Sequence, residues 1–294
     1  MNSDQLSRWR NQLLHGECQT LLPRLPGECV DLIVTSPPYA DQRKSTYGGV
    51  RPEEYVEWFL PIAVELHRVL KPAGSFILNI KERVAKGERH IYVLELILAL
   101  RRQGWLWTEE YIWHKRNCHP GKWPNRFRDA WERCLHFTKH RRFNMYQDAV
   151  MVPMGDWRHA RLRNLSETDK RRDNSRVHSG FGKKIENWVG RDMAYPSNVL
   201  HMATECSNQS HSATFPLELP AWFIRLFTQP GDVVIDPFMG SGTTAIACAQ
   251  LERTYVGIES NSDYVSLARE RLRKLEPSTL PLPLAFANGD ANGR

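Results

Sequence analysis

The sequence contains no apolar run approaching the ~20 residues that a membrane-spanning helix requires, which argues against an integral membrane protein. Its opening stretch, MNSDQLSRWR, lacks the apolar segment of a secretion signal, so a cytoplasmic protein is expected. Cysteine is sparse. Six residues in 294, with no C-x-x-C pair, point to reduced thiols rather than a framework of bridges. Cys118, Cys134, His136 and His140 come nearest to a metal-binding set. Their spacing fits no regular finger, and no metal is expected. No internal repeat is present. With 41% hydrophobic and 25% charged residues the composition is ordinary, which excludes a mainly disordered or collagen-like chain. The length allows one large domain or two modest ones.

What the sequence does have is an uneven charge. Lys and Arg number 40 against 33 Asp and Glu, giving +7 and a pI near 9.1. Between His114 and Arg191 the count is 19 Lys and Arg against 8 Asp and Glu, so the remainder is net acidic. A basic block in an acidic background is an electrostatic footprint for a polyanion. A solvated basic face would give the same count.

Hydrophobic spacing predicts alternating elements. Residues 2–14 read as an amphipathic helix, Val30–Thr35 as a buried strand, and 52–70 as a helix with Pro52 in its first turn. Lys71-Pro72-Ala73-Gly74 reads as a stop before a strand at 75–80. A helix over 90–103 and strands at 105–115 and 134–138 follow. Periodicity then weakens over 140–190, where Arg, Lys, Asn, Ser and Gly accumulate; this reads as an insertion that orders on its partner. Regular α/β alternation resumes with a helix at 216–228, strands at 232–236 and 255–259, and helices at 243–251 and 262–275. Trp222, Phe223 and Phe227 read as helix core, and Trp113 and His114 as packing. The pattern predicts an α/β protein with a parallel sheet covered by helices. The expected segments are 1–139, an insertion at 140–198, a further part at 199–276, and a loose tail at 277–294.

Two motifs carry chemistry. The first, DPFMGSGTT from Asp236, is a strand–turn–helix junction in which Gly240 and Gly242 let a ligand approach the backbone and the helix N-terminus offers N–H groups. The next strand ends in Glu259, where an acid suits ribose hydroxyls. The pair reads as a nucleoside-cofactor site, although a plain βα turn has the same form. The second motif, Thr35-Ser36-Pro37-Pro38-Tyr39, ends a strand. Its prolines remove two N–H donors and leave carbonyl acceptors. Ser36 adds a hydroxyl and Tyr39 a stacking face, a set that suits a planar group bearing an amine.

The order of TSPPY before DPFMGSGTT, about 200 residues apart, resembles the β class of S-adenosylmethionine-dependent amino DNA methyltransferases. The segments LLHGECQTLLPRLPGECVDLIVTSPPY, VLKPAGSFILNI, YIWHKRN, WERCLHFTK, PSNVL and HSATFPLELPAWFIRLFTQPGDVVIDPF also resemble that family, so the likeness runs from about residue 15 to 275. The resemblance implies a Rossmann-like, seven-stranded, mainly parallel sheet with helices on both faces and an inserted basic target-recognition region. It implies methyl transfer to adenine N6 or cytosine N4 of a flipped base, with Ser36, Pro37, Pro38 and Tyr39 as the catalytic set. The cofactor set implied is Glu17 (where the family more often has Asp), Thr35, His211, Thr214, Phe215, Pro216, Asp236, Pro237, Phe238, Gly240, Ser241, Gly242, Thr243 and Glu259. Lys115, Arg116, Lys122, Arg126, Arg128, Arg158, Arg161, Arg163, Arg171 and Arg172 would meet double-stranded DNA. A homodimer, a cognate restriction endonuclease or an orphan regulatory role, and a bacterial or phage nucleoid-associated setting are further implications. A serine at the first catalytic position is commoner in the cytosine-N4 members, but both bases offer the same amino donors, so the target stays open. The competing readings are a Rossmann dehydrogenase, which leaves TSPPY unexplained, RNA as substrate, and a non-catalytic DNA-binding regulator on the same fold.

Overall fold

A computed structural model of the chain describes residues 7–41, 49–118, 121, 124–154, 191–204 and 215–275. Two units separate, one of residues 1–146 with 197–282 and one of residues 147–196 with 283–294. The larger unit is built on one sheet. Its strands are β1 (Gln12–His15), β2 (Val30–Thr35), β3 (Leu70–Ile80), β4 (Leu106–Lys115), β5 (Trp131–Thr138), β6 (Val199–Met202), β7 (Val233–Asp236) and β8 (Thr254–Glu259), and the spatial order is β1-β8-β7-β2-β3-β5-β4-β6. All neighbours are parallel except β5, which runs antiparallel to both β3 and β4. The architecture is the expected α/β sheet with helices. Among the described residues it carries eight strands rather than seven, and one of them is reversed because β4 and β5 form a hairpin.

Among the described residues, beside a single helical turn at Cys18–Leu21, the longer helices are α1 (Tyr55–Val69), α2 (Tyr92–Arg102), α3 (Glu218–Phe227), α4 (Thr243–Gln250) and α5 (Ser262–Arg273). In α1, Tyr55, Phe59, Ile62, Ala63, Leu66 and Val69 are buried at helical spacing and share a core with Val30, Ile33, Phe76 and Phe137. Pro52 opens a 3-10 turn, Pro52–Glu54, that feeds α1. Trp222, Phe223 and Phe227 are core residues of α3, as expected, and Tyr111 meets both Trp222 and Phe223 edge-on at 5.3 Å.

Two expectations need correction. Residues 12–15 are not helical. Asn11 adopts φ 56°, its N–H donates to the Tyr255 carbonyl at 2.7 Å, and its side chain accepts from Tyr255 N–H at 3.2 Å, so the chain is clipped alongside β8. Lys71-Pro72-Ala73-Gly74 is not a stop between elements. α1 passes directly into β3, and the four residues form an irregularity inside it, where Val30 faces Leu70 but Leu32 already faces Ser75. Gly74 is needed there because a Cβ would lie 2.8 Å from the Asp31 carbonyl and 2.6 Å from Leu70 Cδ1. Lys71 returns to ion-pair Asp31 at 2.8 Å, and Asp31 also accepts from Val233 N–H.

In the smaller unit, the described residues form a 3-10 turn, Gln147–Val150, and a two-residue ribbon of Val152–Pro153 with Met193–Ala194. No helix among the described residues is long and apolar enough to cross a membrane.

Candidate active site

β2 and β7 are adjacent and parallel, with Leu32 opposite Val234 and Ile33 opposite Ile235. Their C-terminal ends therefore emerge together. From β2 the chain crosses by α1 to β3 on one side; from β7 it crosses by α4 to β8 on the other. The divergence leaves a crevice at the C-terminal edge, the usual place for a ligand in an open α/β sheet. A cavity of about 830 Å³, mouth included, lies there. Among the described residues it is lined by Gly16, Glu17, Cys18, Ser36, Pro37, Pro38, Tyr39, Phe215, Pro237, Phe238, Met239, Gly240, Ser241, Thr243, Glu259 and Ser260. The two motifs, far apart in sequence, thus share one chamber.

Asp236 braces the glycine corner. Its Oδ1 accepts from the Thr35 hydroxyl at 2.6 Å and from Phe238 N–H at 3.0 Å, and Oδ2 accepts from the Thr244 hydroxyl at 2.7 Å. Burial raises the carboxyl pKa to about 6, against the lowering effect of these three hydrogen bonds. Thr35 and Asp236 face one another rather than the cavity, so they tie β2 to β7 and do not line the chamber. Gly242 does not line it either. With φ +85° it caps α4, and a Cβ would sit 2.8 Å from Ala268 Cβ of α5, so its lack of a side chain serves helix packing. Gly240, by contrast, is at the wall. Its N–H donates to Glu259 at 2.8 Å, and the other Glu259 oxygen accepts from Asn261 N–H at 2.8 Å. Arg271 of α5 holds the Ser241 hydroxyl and carbonyl at 2.9 and 2.7 Å.

In the proline corner the Ser36 hydroxyl donates to Tyr39 Oη at 3.3 Å. Tyr39 Oη has two acceptors within reach, Glu132 Oε2 at 2.6 Å and Asn79 Oδ1 at 3.1 Å. Burial, followed by the charge of Glu132, pushes the Tyr39 hydroxyl pKa well up. Not every carbonyl of the turn is left open, as the Tyr55 hydroxyl donates to that of Pro38 at 3.0 Å. Cys18 lines the chamber, but burial raises its thiol pKa to about 12 and keeps it protonated. Sequence reasoning missed Glu132 and Asn79 because each sits on a strand whose motif gives no sign of contact with Tyr39.

The remaining expected residues divide. Phe215 lines the cavity, while the Pro216 carbonyl accepts from Leu219 N–H in the approach to α3. His211 and Thr214 lie outside the described residues, as do Lys122, Arg158, Arg161, Arg163, Arg171 and Arg172. Lys115, expected on phosphate, is turned inward. Its ammonium meets Glu132 at 2.5 Å and lies over the Trp113 ring. Arg116 and Arg128 are exposed, and Arg126 pairs with Asp129 at 3.4 Å. Between Arg126 and Arg128, Phe127 is 95% exposed. His136, weighed as a metal ligand, bonds Ser75 Oγ at 3.0 Å, and burial lowers its pKa to about 3. His114 packs against His201, with ring centroids 5.0 Å apart.

Comparison with known proteins converges on the same chemistry. The profile of the DNA methylase family (N6_N4_Mtase) matches residues 30–270. The Type II methyltransferase M.PvuII of Proteus hauseri is 31% identical over 280 residues, covering 87% of this chain and 82% of that protein. The orphan methyltransferase M.BamHII of Bacillus amyloliquefaciens is 30% identical, with 84% and 90% covered. Among solved structures, the PvuII DNA methyltransferase, described as cytosine-N4-specific, superposes with a TM-score of 0.66 at 26% identity over 90% of this chain and 86% of that one. A Thermus thermophilus protein solved with S-adenosyl-L-methionine gives 0.58 at 25% identity, with 88% and 92% covered.

Proposed function

As a member of the DNA methylase family, the chain is an S-adenosylmethionine-dependent amino DNA methyltransferase, and we propose that its target is a base flipped out of double-stranded DNA, specifically cytosine at N4. The observation that carries this reading is the chamber shared by Ser36–Tyr39 and Pro237–Ser241, with Glu259 in its wall.

The residues fit the cofactor. Glu259 is a buried acceptor held by two backbone amides, suited to ribose hydroxyls, and Phe238 offers an aromatic wall. Glu17, Gly240, Ser241, Thr243 and Phe215 complete the binding side. His211, Thr214 and Pro216 are assigned to the same end by resemblance alone. When bound, S-adenosylmethionine supplies an electrophilic methyl group on a positively charged sulfur.

The protein's part is position. A base amine is a poor nucleophile because its lone pair conjugates with the ring. Hydrogen bonds from its N–H groups to Ser36 Oγ and the Pro37 carbonyl draw the nitrogen toward tetrahedral geometry and aim the lone pair. Extruding the base costs a few kcal/mol, which stacking on Tyr39 offsets in part. Arg116, Arg126, Arg128 and the basic stretch beyond meet phosphates. The exposed Phe127 offers an apolar face beside two of those arginines.

Cytosine is favoured over adenine by the serine at position 36 and by the similarity to a methyltransferase described as cytosine-N4-specific. Incubation of the protein with labelled S-adenosylmethionine and unmethylated phage DNA, followed by mass analysis of the nucleosides, should yield N4-methylcytosine. N6-methyladenine would overturn the base assignment and leave the activity. Absence of label would overturn the whole reading.

A further inference from the structure

Glu132 lies outside both motifs, yet it ends a chain of hydroxyls that starts at the cavity. Its side chain is only 8% exposed. The Tyr39 hydroxyl has a single proton and two acceptors. An ionised carboxylate at 2.6 Å outcompetes a neutral amide oxygen at 3.1 Å. The Asn79 amide nitrogen is itself committed to the Arg133 carbonyl at 3.1 Å. With its proton on Glu132, Tyr39 Oη is left as an acceptor, and Ser36 donates to it. The Ser36 lone pairs are then available to a donor in the chamber. Lys115 closes the arrangement by pairing the far oxygen of the same carboxylate.

Resting on the reading that a base amine sits beside Ser36, we infer that Glu132 is the positioning residue that fixes Ser36 as an acceptor and the terminus that takes up the proton released by the reaction. The nitrogen–methyl bond forms as the methyl–sulfur bond breaks, with its electron pair staying on sulfur, and the nitrogen gives up one proton. That proton passes to Ser36 Oγ, the Ser36 proton to Tyr39 Oη, and the Tyr39 proton to Glu132 Oε2. Charge and atoms balance without a further reactant. Lys115, in this account, is an internal counter-ion to that carboxylate, not a phosphate contact.

The test is steady-state methylation of unmethylated phage DNA, with calorimetric affinity for S-adenosylmethionine measured on the same preparations. The variants are Ser36→Ala, Tyr39→Phe, Glu132→Gln, the double Tyr39→Phe/Glu132→Gln and the double Glu132→Gln/Lys115→Met. Glu132→Gln should lower kcat by about tenfold or more, as loss of a proton acceptor does, with the KM and affinity for S-adenosylmethionine within about threefold. Tyr39→Phe interrupts the same path without stranding Lys115 and should fall equally, and Tyr39→Phe/Glu132→Gln should fall no further. Glu132→Gln/Lys115→Met should stay low. A return of activity in that pair would trace the loss to an unpaired Lys115 and overturn the inference. A Glu132→Gln kcat within twofold of wild type, with Ser36→Ala still impaired, would overturn it while leaving the proposed function intact. Ser36→Ala at full activity would instead remove the premise that the amine sits there.

Discussion

Replacing Asp236 with Asn should make stability respond differently to pH. The carboxyl is buried, and its pKa rises from the ordinary 3.8 to about 6. At about 1.4 kcal/mol per pKa unit, a shift of roughly two units amounts to about 3 kcal/mol. Its sign follows from where protons sit. Below about pH 4 the group is neutral in both folded and unfolded chains and carries no penalty. Between about pH 4 and 6 the unfolded chain releases a proton that the folded chain keeps, so stability falls as pH rises. Above pH 6 the cost of burying the charge is fully expressed. Asn has nearly the same shape and no charge. Thr35 and Thr244 are hydroxyls that can rotate to donate to it or accept from it. Urea unfolding of both proteins at pH 4.5 and pH 8 should therefore show Asp236→Asn gaining about 2 kcal/mol relative to wild type over that interval, since about 1 kcal/mol of the cost is already expressed at pH 4.5. A difference between the two proteins that is flat with pH, or that grows toward acid, would refute the assignment of a costly buried carboxylate.

Three further outcomes follow from the same geometry. Gly242→Ala forces a side chain into a left-handed backbone against Ala268; thermal or urea melting should register a loss of about 2–5 kcal/mol, combining ~1–2 for the conformation with ~1–3 for the overlap. Glu259→Ala removes an acceptor worth ~1.5–3 kcal/mol when charged, so calorimetry should show S-adenosylmethionine binding weakened at least about tenfold. Replacing Arg116 and Arg128 together with Gln should leave that affinity unchanged while lowering the slope of log DNA affinity against log salt by up to about 2, roughly one per lost phosphate contact.

Elements held by their own sequence were the legible ones. β2 is mostly apolar, is buried along its whole length and ends at a proline turn, so its limits coincide with the structure. α1 buries residues at helical spacing, and α3 is an apolar run buried over nearly its whole length, so both are local information. β1 and β6 were not legible. Each is a four-residue edge strand with one neighbour, and each exists because of a partner remote in sequence, Gln12–His15 against β8 and Val199–Met202 against β4. The reversal of β5 likewise comes from its hairpin with β4. Within the site, the residue types of both motifs were readable, but the direction of each side chain was not. Asp236 and Gly242 look like ligand contacts in a strand–turn–helix motif, yet one is consumed by Thr35 and Thr244 and the other by the approach of α5. Lys115 shows the same limit. A basic residue in a basic stretch reads as a phosphate contact until a buried carboxylate, Glu132, is found within its reach on the neighbouring strand.

The distance in sequence between the two motifs is therefore no obstacle to a shared site, and their order along the chain has no geometric meaning. In a parallel sheet, any two neighbouring strands deliver their following loops to the same edge. Here β2 and β7 are neighbours, and the Thr35–Asp236 hydrogen bond is made between the last residue of one and the last residue of the other. That contact fixes the relative height of the two loops to within a hydrogen-bond length, while α1 and α4 carry the chain away in opposite directions and, among the described residues, leave the cavity between them. A methyl donor on the glycine side and an amine on the proline side need only be brought together along one line, and the spacing of two adjacent strands, about 4.8 Å, already sets that line to the scale of a transferred carbon. β6, which follows the basic stretch in the chain, lies at one margin of the sheet, beyond β4 and away from that strand pair. If the basic stretch before it selects the DNA, as proposed, that stretch can vary without disturbing the two strands on which the chemistry depends.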